Sequence, residues 1–229
     1  MQKETKRASL KDRFVSEIIN GIISGKYPIG ERLPSERDLA EQMGISRTVV
    51  RSGLAELSGD GVICQEGHRG SVVMDYRTEG KMPIVDAILT SGAPFSQQIL
   101  EGYLGARILV ETETARLAAL NRTNDDLYQL FTIIRQGAEI PEEDTKALAR
   151  QEYCFHKQVA VACGNVFYPI FINSMENTAL RLLEEMYCAD MCKRDILRLQ
   201  ENLYEAILER NPDKAVRAMQ DIFYHRKPE

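Results

Sequence analysis

The chain has 229 residues, and its content of 44% hydrophobic and 28% charged residues is typical of a globular protein with one or two domains. No segment approaches the ~18 consecutive apolar residues of a membrane span, and the N-terminus lacks the apolar core of a signal peptide, so we expect a cytoplasmic protein. The net charge of −5 argues against nucleic-acid binding, but residues 1–77 are nearly neutral and their arginines are clustered, so overall charge does not identify the partner.

The first predicted element is an amphipathic helix that begins at Leu10 and ends at Gly25. Its apolar residues recur at helical spacing, namely Phe14, Ile18, Ile19, Ile22 and Ile23. We expect this helix to pack behind the elements that follow and to complete their core.

A helix-turn-helix pattern follows the first helix. Ser35 and Ser46 are good N-caps for two short helices, and Gly44 supplies the sharp turn between them. Ala40 permits a close approach of the two helices, and Val50 directs the second helix toward the core. The spacing of these residues predicts a helix-turn-helix.

The second of these helices is predicted to end near residues 59–61 and to be followed by a β-ribbon, with one strand from Val62 and the other over residues 71–73. Arg47, Thr48 and Arg51 lie in its first two turns and point away from its apolar side, where a recognition helix meets base edges and phosphates. The alternative is a solvated helix with ordinary surface arginines, but it does not explain the ribbon. The pattern therefore predicts a DNA-binding module.

This first domain resembles the winged-helix domain of the GntR family of bacterial transcription regulators. The resemblance lies in GKYPIGERLPSERDLAEQMGISRTVVRSGLAEL and in the ribbon that ends in RGSVV. It implies DNA contacts from two helices and from the tip of the wing, namely Arg37, Arg47, Thr48, Arg51, His68, Arg69 and Gly70. Two positions depart from the family pattern: Ser52 replaces the usual acidic residue, and His68 stands at the first glycine position of the wing. Both departures would alter which operator is read.

A polar stretch over residues 75–83 separates the first domain, residues 1–76, from a second domain, residues 83–229. Pro83 is expected to begin a short helix that ends near Gly92. Beyond it the patterns predict only helices, over residues 96–120, 124–137, 141–163, 165–189, 193–210 and 212–225. Short connections between them predict an all-α antiparallel bundle, and hence a mainly α fold for the whole chain.

Two charged pairs lie where a bundle core should be apolar. Arg107 and Glu111 are one turn apart on one helix, and Glu152 and His156 are one turn apart on another. A buried arginine must be paired, and its planar guanidinium suits a carboxylate. Arg107 is therefore either satisfied by Glu111 alone or also binds an acidic ligand, and a histidine such as His156 is most often a satisfied core residue.

The second domain resembles the FCD-like ligand-binding domain of the FadR-type branch of the GntR family. The matching segments are EGYLGARILVETETARLAAL, EYCFHKQVAVACGN and NLYEAILERNPDKAVRAMQDIF. The resemblance implies a divalent metal, zinc or similar, held by an aspartate four residues before a histidine and by two later histidines. Glu152 and His156 hold the first two positions, but Gln200 and Ile222 hold the others, and His225 could replace Ile222 only if the register slips. Isoleucine cannot ligate a metal, and an amide is a weak ligand for Zn²⁺.

We therefore expect the usual metal site to be lost, no cofactor to be needed and an organic acid to be bound directly. The expected effector residues are Arg107, Glu111, Glu152, His156 and Gln200, with Tyr103, Tyr153 and Asn173 as wall residues.

The sequence as a whole predicts a homodimeric transcription regulator, a repressor rather than an activator, that binds a near-palindromic DNA operator and responds to a small carboxylate. One alternative is a constitutive DNA-binding protein whose bundle serves only for dimerisation. Another is a small-acid enzyme with a catalytic cluster in the bundle, but the sequence has no nucleophile elbow, phosphate loop or complete metal set.

Overall fold

A computed structural model describes residues 9–81, 84, 97–188 and 192–225, without the side chains of His68 and residues 97–99. The chain divides into two compact units, residues 1–94 and residues 95–229. None of the helices in the described ranges is both long and apolar enough to cross a membrane.

In its described part, the first unit contains three longer helices, one short helix and a two-stranded ribbon. Its strands pair antiparallel, with Ile63 opposite Val73. In chain order the elements are α1 (Leu10–Ile23), α2 (Glu36–Met43), α3 (Arg47–Gly59), β1 (Ile63–Gln65), β2 (Ser71–Val73) and the short helix α4 (Tyr76–Glu79). The predicted winged helix-turn-helix is confirmed.

Local capping chemistry fixes where the helices of this unit begin. The hydroxyl groups of Ser9, Ser35 and Ser46 each accept a hydrogen bond from the backbone N–H three residues later, at 3.1, 3.2 and 3.3 Å. Gly44 ends α2 in the left-handed conformation, with φ of 63°. The predicted caps Ser35 and Ser46 and the predicted turn at Gly44 are confirmed.

The core of the first unit forms where α1 packs against α3. Phe14 is fully buried beside Gly53, and a Cβ atom at Gly53 would lie 2.3 Å from the ring of Phe14. The absence of a side chain at Gly53 therefore lets α1 approach α3 closely. Val50, Leu54 and Leu57 of α3 are buried in the same core, as their spacing predicts.

The end of the first unit differs from the sequence-based boundary. Ile84 is 3% exposed and belongs to the core of this unit, and Tyr76 of α4 packs against the same core. The polar composition of residues 75–83 predicts a boundary there. Ile84, which was expected in the second domain, nevertheless belongs to the core of the first unit. The rest of the helix predicted from Pro83 to Gly92 lies outside the described residues.

The second unit is all-helical, as predicted. Its fully buried side chains come from several helices that pack on one another, and include Leu130, Phe155, Ile196 and Leu203. The helices are α5 (Gln97–Asn121), α6 (Asn124–Glu139), α7 (Thr145–Ala162), α8 (Phe167–Ser174), α9 (Glu176–Cys188), α10 (Lys193–Leu208) and α11 (Pro212–Tyr224).

Two predicted helices of this unit have different bounds in the structure. The helix expected from residue 141 begins only at Thr145, because Asp144 caps it by accepting a hydrogen bond from Ala147 N–H at 3.1 Å. The single helix expected over residues 165–189 is broken at Met175 into α8 and α9.

The hydrogen bonding of the backbone changes at Met175. The hydroxyl of Ser174 donates to the carbonyl of Phe171 at 2.6 Å, which is the carbonyl that the N–H of Met175 would use in a continuous helix. Met175 N–H bonds instead to the carbonyl of Ile172 at 3.1 Å. The last turn of α8 therefore closes on Ile172, and the helix ends at Ser174.

Candidate nucleic-acid interface and effector pocket

The N-terminal end of α3 presents the predicted recognition residues to solvent. The side chains of Arg47 and Arg51 are 61% and 66% exposed, and Arg37 on α2 is 80% exposed. Thr48 is also exposed, whereas Val50 is fully buried on the opposite side of the helix. The same packing that buries α3 therefore turns its arginines outward.

The carboxylate of Glu36 on α2 lies close to two of these arginines. Oε2 and Oε1 of Glu36 lie 2.9 and 3.2 Å from Nε of Arg51, and Oε2 lies 3.7 Å from Nη2 of Arg47. Sequence reasoning missed Glu36, because its role depends on a contact across the turn between α2 and α3. The motif LPSERD alone marks it only as an acidic residue in the first turn of a helix.

The wing is held by Arg32, a second residue that the sequence analysis missed. Arg32 pairs with Glu66 at 2.7 Å and donates to the backbone carbonyl of Arg69. Arg32 also forms an isolated antiparallel bridge with Val72, so its segment lies along the outer edge of β2. Arg32 therefore fixes the tip of the wing to the body of the module.

The predicted wing-tip residues lie between β1 and β2 on a tight turn. Arg69 and Gly70 are exposed, and Gly70 adopts φ of 90°, which a residue with a side chain rarely adopts. The side chain of His68 lies outside the described part of the structure. The backbone therefore places the wing tip at the surface, as the DNA-contact prediction requires.

A chain of buried ionic contacts connects α5 with α7 in the second unit. Nε of Arg107 lies 2.7 Å from Oε1 of Glu111, and Oε2 of Glu111 contacts Nδ1 of His156. Nε2 of His156 lies 3.9 Å from Oε1 of Glu152. These four residues are at most 7% exposed, so both predicted charged pairs are buried, and the contact between Glu111 and His156 joins them into one cluster.

The electrostatics of this cluster hold Glu111 in its ionised form. Burial raises the pKa of Glu111, but the charges of Arg107 and His156 and the hydrogen bonds to both outweigh it, and the pKa falls to about 2. The same ion pair outweighs the effect of burial on Arg107 and raises the pKa of its guanidinium. The pair is therefore charged throughout the physiological pH range.

Tyr187 extends the cluster onto α9, a contact that sequence reasoning missed. Its hydroxyl donates to Oε2 of Glu152 at 2.7 Å, and burial raises the pKa of the phenol. Glu152 is thus held by hydrogen bonding from a neutral group. No periodic signal in the sequence connects residues 35 positions apart, so this contact could not be read from spacing.

Two of the four positions at which the resemblance implies metal ligands hold residues unsuited to that role. Gln200 is buried and exchanges amide hydrogen bonds with Gln151, at 2.9 and 3.5 Å, and Ile222 is a fully buried apolar residue. His225 is exposed at the C-terminal end of α11, away from the buried side chains. Within the described ranges, no group of three His, Cys, Asp or Glu side chains has an arrangement that could hold a metal ion.

A narrow pocket opens beside Arg107, and its free volume admits about one water molecule. Of the predicted effector residues, Arg107 and Glu111 line it, whereas Glu152, His156 and Gln200 do not. The full lining consists of Tyr103, Arg107, Glu111, Tyr153, Phe171, Ile172, Met175 and Ala179. The lining is therefore mostly apolar around one guanidinium and one carboxylate.

The predicted wall residues take part in closing this pocket. Tyr103 and Tyr153 line it, and the hydroxyl of Tyr153 donates to Oδ1 of Asn173 at 3.2 Å. This bond joins α7 to the end of α8, next to the break at Met175. The guanidinium carbon of Arg107 lies 5.8 Å from the ring centroid of Tyr103 and 5.2 Å from that of Phe223, so aromatic rings flank the cation.

Comparisons with known proteins match both units. Residues 10–73 match the family described as bacterial regulatory proteins, gntR family, and residues 103–225 match the FCD domain. Over 210 residues the chain is 30% identical to the Glc operon transcriptional activator of Escherichia coli strain K12. This match covers 87% of this chain and 80% of that protein. It is 24% identical over 199 residues to the fatty acid metabolism regulator protein of Edwardsiella ictaluri, with 87% and 81% covered.

A solved structure has a similar fold. It is described as Lar, which controls the expression of the Listeria monocytogenes agr system and mediates virulence; the TM-score is 0.67 at 14% identity, with 97% of this chain and 96% of that chain covered. The two family matches follow the order of the two structural units along the chain.

Proposed function

The chain belongs to the gntR family of bacterial regulatory proteins and carries an FCD domain, and from this premise we propose that it is a homodimeric, operator-specific regulator that binds a small carboxylate directly. The family makes it a transcription regulator and not an enzyme. We place it in the cytoplasm, where bacterial DNA is found. The observation that carries the proposal is a pair of arginine sites: exposed guanidinium groups on α3 and a buried guanidinium at a pocket.

The DNA-binding half of the proposal rests on the surface of the first unit. Arg47, Thr48 and Arg51 project from the end of α3, and the wing tip with Arg69 stands at the surface as well. In a winged helix-turn-helix the recognition helix enters the major groove, where an arginine can bind N7 and O6 of a guanine. A dimer would present two such units to a near-palindromic operator.

The effector half of the proposal rests on Arg107. Glu111 occupies Nε of Arg107, so a carboxylate ligand would bind through the Nη groups, for which the planar guanidinium is well suited. The apolar lining favours an acid with a short hydrocarbon part. Because the pocket admits about one water molecule, α8 or α9 must shift to admit the acid, and the break at Met175 lies at that point.

We further propose that the acid is captured without a metal. Gln200 is engaged with Gln151, and Ile222 offers no donor atom, so two of the four positions are unsuited to a divalent ion. Glu152 and His156 then stabilise the pocket from behind, through Glu111 and Tyr187. This differs from our expectation that His156 and Gln200 touch the acid themselves.

Dimerisation is proposed through an apolar surface on the second unit. Leu109 of α5 is 73% exposed, and Val166, Phe167 and Ile170 at the start of α8 are 58–78% exposed. The start of α8 lies near the C-terminal end of α5, because the side chain of Asn121 donates to the carbonyl of Cys163 at 2.8 Å. Arg107 and Glu111 line one pocket with Phe171, so α8 also lies beside the part of α5 that carries Leu109. Large exposed apolar residues in one region are typical of a protein interface, and here we propose a second copy of the chain.

Repression is the proposed direction of control, because occupying an operator is enough to block transcription and needs no further contact. One relative is named an activator, so a reporter gene with and without the protein decides this point. Effector binding would change the spacing or mobility of the two winged helices across the two-fold axis of the dimer.

The proposal is tested by native mass spectrometry of the untagged protein before and after chelator, followed by operator selection from random DNA. We expect a metal-free dimer and one enriched near-palindrome. Short mono- and dicarboxylates are then screened for an effect on the operator affinity of the wild type and of Arg107→Ala. Arg116→Ala, which removes an arginine from a partly exposed ion pair on the same helix, is the matched control. Only Arg107→Ala should lose the response, and both should keep DNA binding.

Three results would contradict parts of the proposal. One metal per subunit would restore a metal-centred sensor. A monomer would refute the assigned interface. Operator affinity that no acid changes would leave a constitutive DNA-binding protein, the alternative that the sequence also allowed.

A further inference from the structure

We propose that Glu36 is a positioning residue for base readout: it holds Nε of Arg51, so that the two Nη groups of Arg51 are presented together to a single guanine. This inference rests on the proposed DNA contacts of α3 and adds a residue that the sequence-based contact set did not contain. It makes Glu36 a determinant of sequence preference without requiring Glu36 to touch DNA.

The geometry has the form of a bridge across the helix-turn-helix. Glu36 is the first residue of α2, and both of its oxygen atoms lie within 3.2 Å of Nε of Arg51 on α3. Oε2 also lies 3.7 Å from Nη2 of Arg47, one helical turn away. One carboxylate therefore holds Arg51 by hydrogen bonding and lies within ion-pair distance of Arg47.

The chemistry of guanine gives this geometry a consequence. An arginine can meet N7 and O6 of guanine with either its two Nη groups or one Nη group and Nε. Because Glu36 occupies Nε of Arg51, only the edge with the two Nη groups remains. An arginine already held in one direction also loses less side-chain entropy on binding than a free one.

A purely stabilising role for this pair is poorly supported. The side chains of Glu36 and Arg51 are 31% and 66% exposed, and ion pairs at that exposure add little to folding stability. A carboxylate beside DNA also repels phosphates, so Glu36 should weaken binding to all sequences alike. The two effects together favour discrimination: weaker binding to DNA in general and stronger preference for the sequence that Arg51 reads.

The test compares three variants of the full chain after operator selection with the wild type. Glu36→Gln removes both the charge and the ionic hold on Arg51. Glu41→Gln removes the same charge from an exposed position of the same helix, and serves as the matched control. Glu36→Asp keeps the charge but shortens the side chain by one methylene group. It therefore distinguishes the effect of the charge from the effect of the hydrogen bond to Arg51.

Affinities are measured for the operator, for operators with each guanine replaced, and for non-specific DNA of equal length. Arg51→Ala identifies the guanine that Arg51 reads: replacing that guanine lowers the affinity of the wild type but not that of Arg51→Ala. At that guanine we expect Glu36→Gln and Glu36→Asp to lose a preference of roughly 5- to 150-fold, the range of a bidentate arginine contact. Non-specific affinity should rise in both glutamine variants and not in Glu36→Asp.

The double variant Glu36→Gln/Arg51→Ala should lose no more preference than Arg51→Ala alone, because both changes remove the same contact. If Glu36→Gln keeps the guanine preference and only binds all DNA more tightly, as Glu41→Gln does, Glu36 is a surface charge and the inference is wrong. A wild type without any sequence preference would instead refute the proposed operator specificity. Circular dichroism of each variant confirms that a loss of preference does not reflect unfolding.

Discussion

Replacement of Glu111 by glutamine tests how the buried cluster contributes to folding. Glu111→Gln keeps the shape of the side chain and one acceptor oxygen, but leaves the buried guanidinium of Arg107 without its counter-charge. The gap between the ordinary pKa of 4.5 and the folded-state pKa of about 2 corresponds to about 3 kcal/mol, because one pKa unit equals about 1.4 kcal/mol. This agrees with the ~3–5 kcal/mol cost of breaking a buried ion pair.

The pH dependence gives this prediction a second, independent readout. Because the folded-state pKa of Glu111 is lowered, its contribution is complete above pH 4.5 and is lost as the pH falls toward about 2. Urea unfolding followed by circular dichroism should therefore show a variant that is about 3 kcal/mol less stable at pH 7, and a difference that narrows below about pH 5.

Two controls make the result interpretable. Glu113→Gln, which breaks a partly exposed pair with Arg116 on the same helix, should cost less than about 1 kcal/mol. The double variant Arg107→Met/Glu111→Gln should lose less stability than the two single variants added together. With both members of the pair replaced, neither leaves a buried charge without its partner. If Glu111→Gln were as stable as the wild type at pH 7, the ionic account of this cluster would be wrong.

Three further predictions concern the DNA surface, the dimer and the first core. Arg51→Ala should weaken operator binding by ~1–3 kcal/mol in a gel-shift titration, and an unchanged affinity would remove it from the base contacts. If the chain dimerises as we propose, Phe167→Glu should give a folded monomer in analytical ultracentrifugation, since the residue is 66% exposed. Phe14→Ala should destabilise the first unit by ~3–5 kcal/mol in thermal unfolding, because the fully buried ring would leave a cavity beside Gly53; a smaller loss would mean that the site collapses.

The parts of the fold that the sequence predicted well depend on local chemistry. A serine before a helix and a glycine after it act on backbone groups within three or four residues, so Ser35, Ser46 and Gly44 could be assigned from the sequence alone. Apolar spacing likewise placed Val50, Leu54 and Leu57 on the buried side of α3. The charged cluster was found for the same reason, because Arg107 and Glu111 interrupt an apolar line.

The parts that the sequence did not predict depend on contacts between distant residues. Ile84 joins the first core although it lies at the end of a polar segment, and Glu36 and Arg32 gain their roles only when α3 and the wing are folded beside them. The break at Met175 is a change in one backbone hydrogen bond, from which apolar spacing gives no signal. Spacing arguments therefore find helices and their buried sides, and miss the side chains that fix those helices to one another.

The buried cluster shows how such contacts change a functional conclusion. Judged by position alone, Glu152 and His156 are half of a metal site, and the question is which residues supply the other half. In the structure His156 contacts Glu111, and Tyr187 donates to Glu152, so protein groups already engage both residues. Arg107 is the cation that lines the pocket, and a carboxylate bound there through its Nη groups would share the guanidinium with Glu111. A sensor with Gln200 and Ile222 at two of the metal positions would therefore depend on Arg107, as we propose, and the buried pairing with Glu111 keeps that guanidinium charged.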